Sequence, residues 1–184
     1  MARLVHALGS QDRPRLIAHF QALDAGDRRL RFGLPASDEF IADYVHGIDF
    51  ARDHVFGIFG DRFELIAVAH MGQAGDDAEL GLSVLTAWRR GALARQLVAR
   101  ATRRAVALGR RRLWIHFVQD NHAMARFTRD LGMEVRYACG EADAWLELPT
   151  ASPLTLGLEL YQRQLDGLFG AWRVLALPPR SEAA

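Results

Sequence analysis

The stretch TAWRRGALARQLVARATRRAVALG, Thr86 to Gly109, decides how the chain is organised. Just before and into it, ELGLSVL (79–85) alternates like a strand. Beyond it, Leu93, Leu97, Ala101 and Leu108 fall on one side and predict a helix over 91–108, closed by Gly109. A helix start carries unpaired N–H groups and a partial positive charge. Small residues there let the backbone approach an anion closely. Arg89-Arg90-Gly91-Ala92-Leu93-Ala94 supplies all of these features and predicts a phosphate site. The Walker pattern does not fit, because it needs a lysine and the chain has none. The GxGxxG fingerprint is also missing, and the flanking strands read as hairpins.

Working outward, RLVHAL (3–8) reads as a strand, and Ser10 caps a helix over 11–23 with Leu16, Ile17, Phe20 and Leu23 on one face. DAGDRRLRFGLPAS (24–37) reads as a polar, turn-rich connection. Ser37 caps a second helix, striped by Phe40, Ile41, Tyr44, Val45 and Ile48. HVFGIFG and FELIAVAHMG flank Gly60-Asp61 as a hairpin, and GQAGDDA (72–78) turns the chain into ELGLSVL. After the helix come a strand, RRLWIHFVQ, a helix, HAMARFTRDLG, and a hairpin of MEVRYAC and DAWLELP around Gly140. The order is β-α-α-β-β-β-α-β-α-β-β. It predicts an α+β (mixed α/β) fold: a mostly antiparallel mixed sheet, with at least one parallel crossover, flanked by helices.

A further helix starts at Ser152-Pro153, with Leu154, Leu158, Tyr161, Leu165, Leu168 and Trp172 at heptad-like spacing. That stripe has to bury itself on the sheet or on a second copy in a homodimer. The expected organisation is a domain over 1–150, a helical extension over 151–175 and a frayed tail over 176–184.

The chain has 184 residues, a net charge of +1 and one cysteine, Cys139. A near-neutral chain without a reading motif argues against a nucleic-acid partner. The lone cysteine suggests a reducing compartment, and no run approaches membrane-spanning length. A bacterial-type cytoplasm and no membrane partner are expected. No ligand spacing for a metal is recognisable around His116, Asp120 and His122.

Arg89-x-x-Ala92-x-Ala94, after the fourth strand of this element order, resembles the R-x-x-G-x-[GA] loop of the GNAT N-acetyltransferases. Ala92 stands where that family usually has glycine, with Gly91 one residue earlier. A second motif, N-x-x-A-x-x-x-Y-x-x-x-G-F, is matched by Asn121 and Gly132, with Thr128 in the tyrosine's place and Met133 in the phenylalanine's. The resemblance covers roughly 1–148 and implies acetyl-CoA as acyl donor and an amine as acceptor.

It further implies that Arg89, Arg90, Gly91, Ala92, Leu93, Ala94 and Arg95 hold the pyrophosphate, and that the backbone of Leu82, Ser83 and Val84 meets the pantetheine arm. Asn121 and its helix would add coenzyme contacts. Glu79, sharing a strand face with Gly81 and Ser83, is the candidate base; the alternative is a solvated strand end. Thr128, in the tyrosine's place, is the second catalytic candidate: its hydroxyl is a poor acid for the departing thiolate but could hold a water, and the alternatives are Tyr137, unassisted departure or a non-catalytic coenzyme-binding module. Asp76, Asp77 and Glu79 would suit a cationic acceptor, and Arg95, Arg100 and Arg103 read as a solvated helix face.

Overall fold

The computed structural model describes residues 3–89 and 92–176. Arg90, Gly91 and the expected tail beyond Ala176 lie outside the described residues. The elements are β1 (Val5–Leu8), α1 (Arg13–Gln21), α2 (Ala25–Phe32), α3 (Asp38–Gly47), β2 (His54–Phe59), β3 (Leu65–Ala74) and β4 (Asp77–Val84). They continue as α4 (Leu93–Ala107), β5 (Arg112–Val118), α5 (His122–Asp130), β6 (Glu134–Ala138), β7 (Glu141–Glu147) and α6 (Pro153–Ala176). Short 3-10 turns precede α1 and follow β4.

The seven strands form one sheet in the order β1-β2-β3-β4-β5-β7-β6. Every neighbouring pair is antiparallel except β4 and β5. Helix α4 is their crossover, as a parallel pair requires. On one face, α1 and α3 bury Leu16, Phe20, Ile41 and Val45 against Val55, Leu65 and Val68. On the other, α4 buries Leu97, Ala101 and Ala105 against Ile58, Ala67, Leu80 and Ile115.

The β4–β5 ladder positions the site. Its register holds only Ala78↔Leu113 and Glu79↔Trp114. By contrast, β4 pairs with β3 from Asp77 to Val84. Past Glu79 the two parallel strands therefore part, and among the described residues no other strand pairs with their facing edges. Backbone N–H and C=O groups on such edges need partners.

Two sequence expectations change. The segment read as a connection contains α2, a short helix that buries no residue completely. Its start is capped, because the Asp27 backbone N–H donates to Asp24 Oδ1 at 2.8 Å. Arg100 belongs not to a solvated face but to the interior, at 2 % exposure. It donates from Nη1 to Glu159 Oε2 at 2.8 Å and from Nη2 to Asp166 Oδ2 at 3.1 Å. Asp166 Oδ1 also accepts the Ala7 backbone N–H, which ties α6 to β1. These ionic contacts turn the polar seam of α6 inward. Leu154, Leu158, Tyr161, Leu165, Leu168 and Trp172 consequently face solvent, so the expected apolar stripe is not buried on its own sheet.

Candidate active site

A cavity of about 530 Å³ lies along β4 beyond the point where it parts from β5, between α2 and the starts of α4 and α5. Its walls bring together Leu82, Ser83 and Val84 from β4, Arg89, Ala92, Leu93, Ala94 and Arg95 around the start of α4, and Asn121 at the start of α5. All of these were candidate coenzyme residues. Leu23, Asp27, Leu30 and Arg31 close the cavity from the α1–α2 side, and Met124 and Phe127 from α5.

The start of α4 differs from most other helix starts in the chain. In α2, α3, α5 and α6, a side-chain oxygen of Asp24, Ser37, Asn121 or Ser152 accepts a first-turn N–H. Helix α4 has no side-chain cap. Ala92, Leu93, Ala94 and Arg95 at its start line the cavity, and free N–H groups at a helix start favour an anion. Arg89 is held beside them. Its Nη2 pairs with Asp27 Oδ2 at 2.5 Å, and its Nε donates to the Val84 carbonyl at 3.2 Å. In this conformation Asp27 takes the place at Arg89 that an anionic ligand group would take.

Along β4, Ser83 is nearly buried and its hydroxyl donates to His19 Nε2 at 2.8 Å. His19 Nδ1–H donates to the Leu65 carbonyl at 2.7 Å, which fixes that tautomer. Burial, the largest cause, pushes the His19 pKa down to about 4, with Arg31 adding to the shift. The imidazole is therefore a weak base near neutrality, and the Ser83 hydroxyl is directed into the fold rather than activated as a nucleophile. Only the Ser83 backbone remains for a ligand.

Glu79 is exposed, lies at the last residue pair before the strands part and is itself not on the cavity wall. Its β3 partner is Gly72, and His70 pairs with the neighbouring Gly81. His70 Nε2–H donates to Asp53 Oδ2 at 3.1 Å, and His70 Nδ1 accepts from the Tyr44 hydroxyl at 2.6 Å. Burial is the main cause of its lowered pKa.

Three of the candidates are engaged elsewhere or lie off the cavity wall. Thr128 is fully buried, and its hydroxyl donates to the Met124 and Ala125 carbonyls of its own helix, at 3.0 and 3.3 Å. It is not on the cavity wall. Tyr137 is exposed on the edge strand β6 and is also absent from that wall. Asp77 is engaged by Arg112 Nη2 at 2.8 Å and Trp114 Nε1 at 3.0 Å, which lower its pKa, so it is not free to attract a cationic acceptor.

Sequence reasoning missed the cavity wall from α2, because 24–37 read as a loop. The Asp24 cap and Gly33, at φ +76°, were its legible boundaries.

The family model for the GNAT acetyltransferase domain matches residues 4–134, and the chain belongs to that family. The GNAT domain of PAT from S. lividans is similar in structure, with a TM-score of 0.71 at 21 % identity over 78 % of this chain and 89 % of that one. The ribosomal-protein-S18-alanine N-acetyltransferase of Escherichia coli aligns with a TM-score of 0.61 at 19 % identity over 82 % and 96 % of the two chains. A PaiA N-acetyltransferase from Thermoplasma acidophilum, in complex with coenzyme A, aligns at 0.61 and 15 % identity over 80 % and 99 %. No curated protein matches the sequence significantly. Among the described residues, no helix is long and apolar enough to cross a membrane.

Proposed function

We propose that the protein transfers an acetyl group from acetyl-CoA to a primary amine by direct attack within a ternary complex. The observation that carries this reading is the cavity along the β4 segment that no longer pairs with β5, ending at the uncapped start of α4. An extended pantetheine arm fits beside Leu82–Val84 as a substitute strand, and the coenzyme phosphates fit the N–H groups of α4 with Arg89 beside them. A GNAT structure with coenzyme A bound supports the same assignment.

In the reaction, the neutral amine nitrogen attacks the thioester carbon. A C–N bond forms and the C–S bond breaks. Glu79, at the vertex of the opening, receives the amine proton directly or through water. A β4 backbone N–H stabilises the oxyanion. With the Thr128 hydroxyl committed to its own helix, the coenzyme leaves as thiolate without an acid from that position. We assign the protein to the cytoplasm.

We further propose a homodimer through α6. Its support is the solvent-facing row of Leu154, Leu158, Tyr161, Leu165, Leu168 and Trp172, which repeats at heptad spacing.

The test is thermal stability with coenzyme A, followed by turnover. Coenzyme A at a hundredfold excess over its Kd adds roughly 2.7 kcal/mol to native stability. Arg89→Ala reduces that gain. Glu79→Gln retains it and lowers kcat about a hundredfold. Absence of any stabilisation of the wild-type chain by coenzyme A or acetyl-CoA overturns the assignment. Stabilisation without turnover on any amine would favour the non-catalytic sensor instead.

A further inference from the structure

Arg31, at the end of α2, differs from its neighbours. Arg28 pairs with Asp38 at 2.7 Å, Arg29 with Asp120 at 2.9 Å and Arg89 with Asp27 at 2.5 Å. Among the described residues, Arg31 has no such carboxylate, although its side chain is largely enclosed and lines the cavity. Its Nη2 donates to the Tyr44 hydroxyl at 2.9 Å, and its buried Nε has no hydrogen-bond partner.

The guanidinium is placed, not loose. Phe20, Phe32 and Tyr44 surround it, with ring centroids 5.6, 5.0 and 5.7 Å from Cζ. The chain from Arg31 through Tyr44 and His70 to Asp53 has one direction of donation throughout, so the Tyr44 oxygen is fixed as an acceptor toward Arg31. Against β4 the guanidinium lies over Gly81. A Cβ there would sit 2.4 Å from Nη2 and 2.6 Å from Cζ, so only glycine leaves room for it. Gly81 lies between Glu79 and the Leu82–Val84 segment. The positive charge is therefore held where the acyl thioester and the incoming nucleophile would meet.

A planar guanidinium offers five N–H donors and matches a carboxylate in a two-bonded fork. A charge on a cavity wall with no carboxylate of its own also disfavours a second cation beside it.

We propose that Arg31 recognises a substrate carboxylate at the Gly81 end of the cavity. This rests on the coenzyme reading of that cavity. The carboxylate has two chemical sources: the acceptor, as an α-amino acid or a peptide with a free C-terminus, or the acyl group, as the half-thioester of a dicarboxylic acid. In either case the reaction is that of the previous section, with Arg31 making contact away from the breaking C–S bond.

The experiment begins with calorimetric titration of wild-type and Arg31→Gln chains by coenzyme A. Thiol release is then measured from acetyl-CoA with the standard α-amino acids and short peptides against their C-terminal amides. In the second arm, succinyl-CoA and acetyl-CoA are compared with the amides as acceptors. We expect a preference of about tenfold or more in kcat/KM for the carboxylate-bearing member in one arm. Preference for free acids over amides places the carboxylate on the acceptor, and preference for succinyl-CoA places it on the acyl chain.

In Arg31→Gln the ratio falls to about one, while the affinity for coenzyme A stays within about twofold. A purely structural arginine would lower both members of each pair equally and leave the ratio intact. Should Arg31→Gln fail to fold, Gly81→Ala displaces the guanidinium while keeping its charge, and the same fall in the ratio is expected. Coenzyme A binding with no preference in either arm, or a preference that survives these substitutions, overturns the proposal. Failure of the wild-type chain to bind coenzyme A removes the cavity reading and this one together.

Discussion

Arg100→Met takes one cation away from two acidic groups that are nearly buried. Glu159 is 4 % exposed and Asp166 8 % exposed, and both face Arg100 directly. Arg104 also lies in reach, at 3.7 Å from Glu159 Oε1. Removing one member of a buried ion cluster costs about 3–5 kcal/mol, because the remaining charges keep their desolvation penalty. The Arg100 Cζ also lies 4.8 Å from the Phe56 ring centre, a contact that methionine largely replaces. For a chain of this length, 1 kcal/mol shifts Tm by about 2–4 °C, so a fall of roughly 10 °C is expected.

The assay is urea and thermal unfolding followed by circular dichroism. The control is the triple variant Arg100→Met, Glu159→Gln, Asp166→Asn, which removes all three charges at nearly constant volume. It should recover most of the loss, since neutral groups do not carry the same penalty. A single variant within about 1 kcal/mol of wild type would refute the claim that this cluster fastens α6.

The remaining predictions concern protonation and assembly. His19 titrates near 6.5 when unfolded and about 4 when folded, so the unfolded chain binds more protons through that window. Stability therefore falls as pH drops below about 6.5, by about 2 kcal/mol between pH 7 and pH 5 from this residue alone. Urea midpoints at the two pH values check it, and His19→Gln should flatten the slope; an unchanged slope speaks against the buried neutral imidazole. His116 goes the other way: Asp143, 2.7 Å away, raises its pKa, and an NMR titration should find it above 6.5. Leu158→Glu with Leu165→Glu should yield a monomer by light scattering while wild type has twice that mass. A monomeric wild type at tens of micromolar would remove the proposed dimer.

The alternating and helical patterns around Thr86–Gly109 made β4 and α4 legible, because both obey a local period. The caps at Ser37 and the stop at Gly132 were legible for the same reason: each acts on backbone within a few residues. Helix α2 was not, because it lies on the cavity and the aromatic cluster without burying any residue completely. Arg31 was lost with it. Arg100 looked like any solvated arginine, since its partners lie 59 and 66 residues further along the chain and no local pattern announces them. Thr128 shows the opposite limit. Its place in a motif was readable, but the direction of its hydroxyl depended on the turn of α5 behind it.

The short β4–β5 ladder makes the sheet two plates joined at one corner. One plate holds β1 to β4 and the other β5 to β7, with α4 as the strap between them. Such a joint transmits little force by itself. An extended molecule lying in the gap would bridge both open edges and stiffen the whole sheet, although it contacts only a few residues of each plate. Slowed amide exchange would then spread beyond the contacted residues into the β6–β7 hairpin, whose own bonds are unaltered. In mechanical terms the polypeptide supplies an unfinished sheet, and an extended ligand would be its missing member.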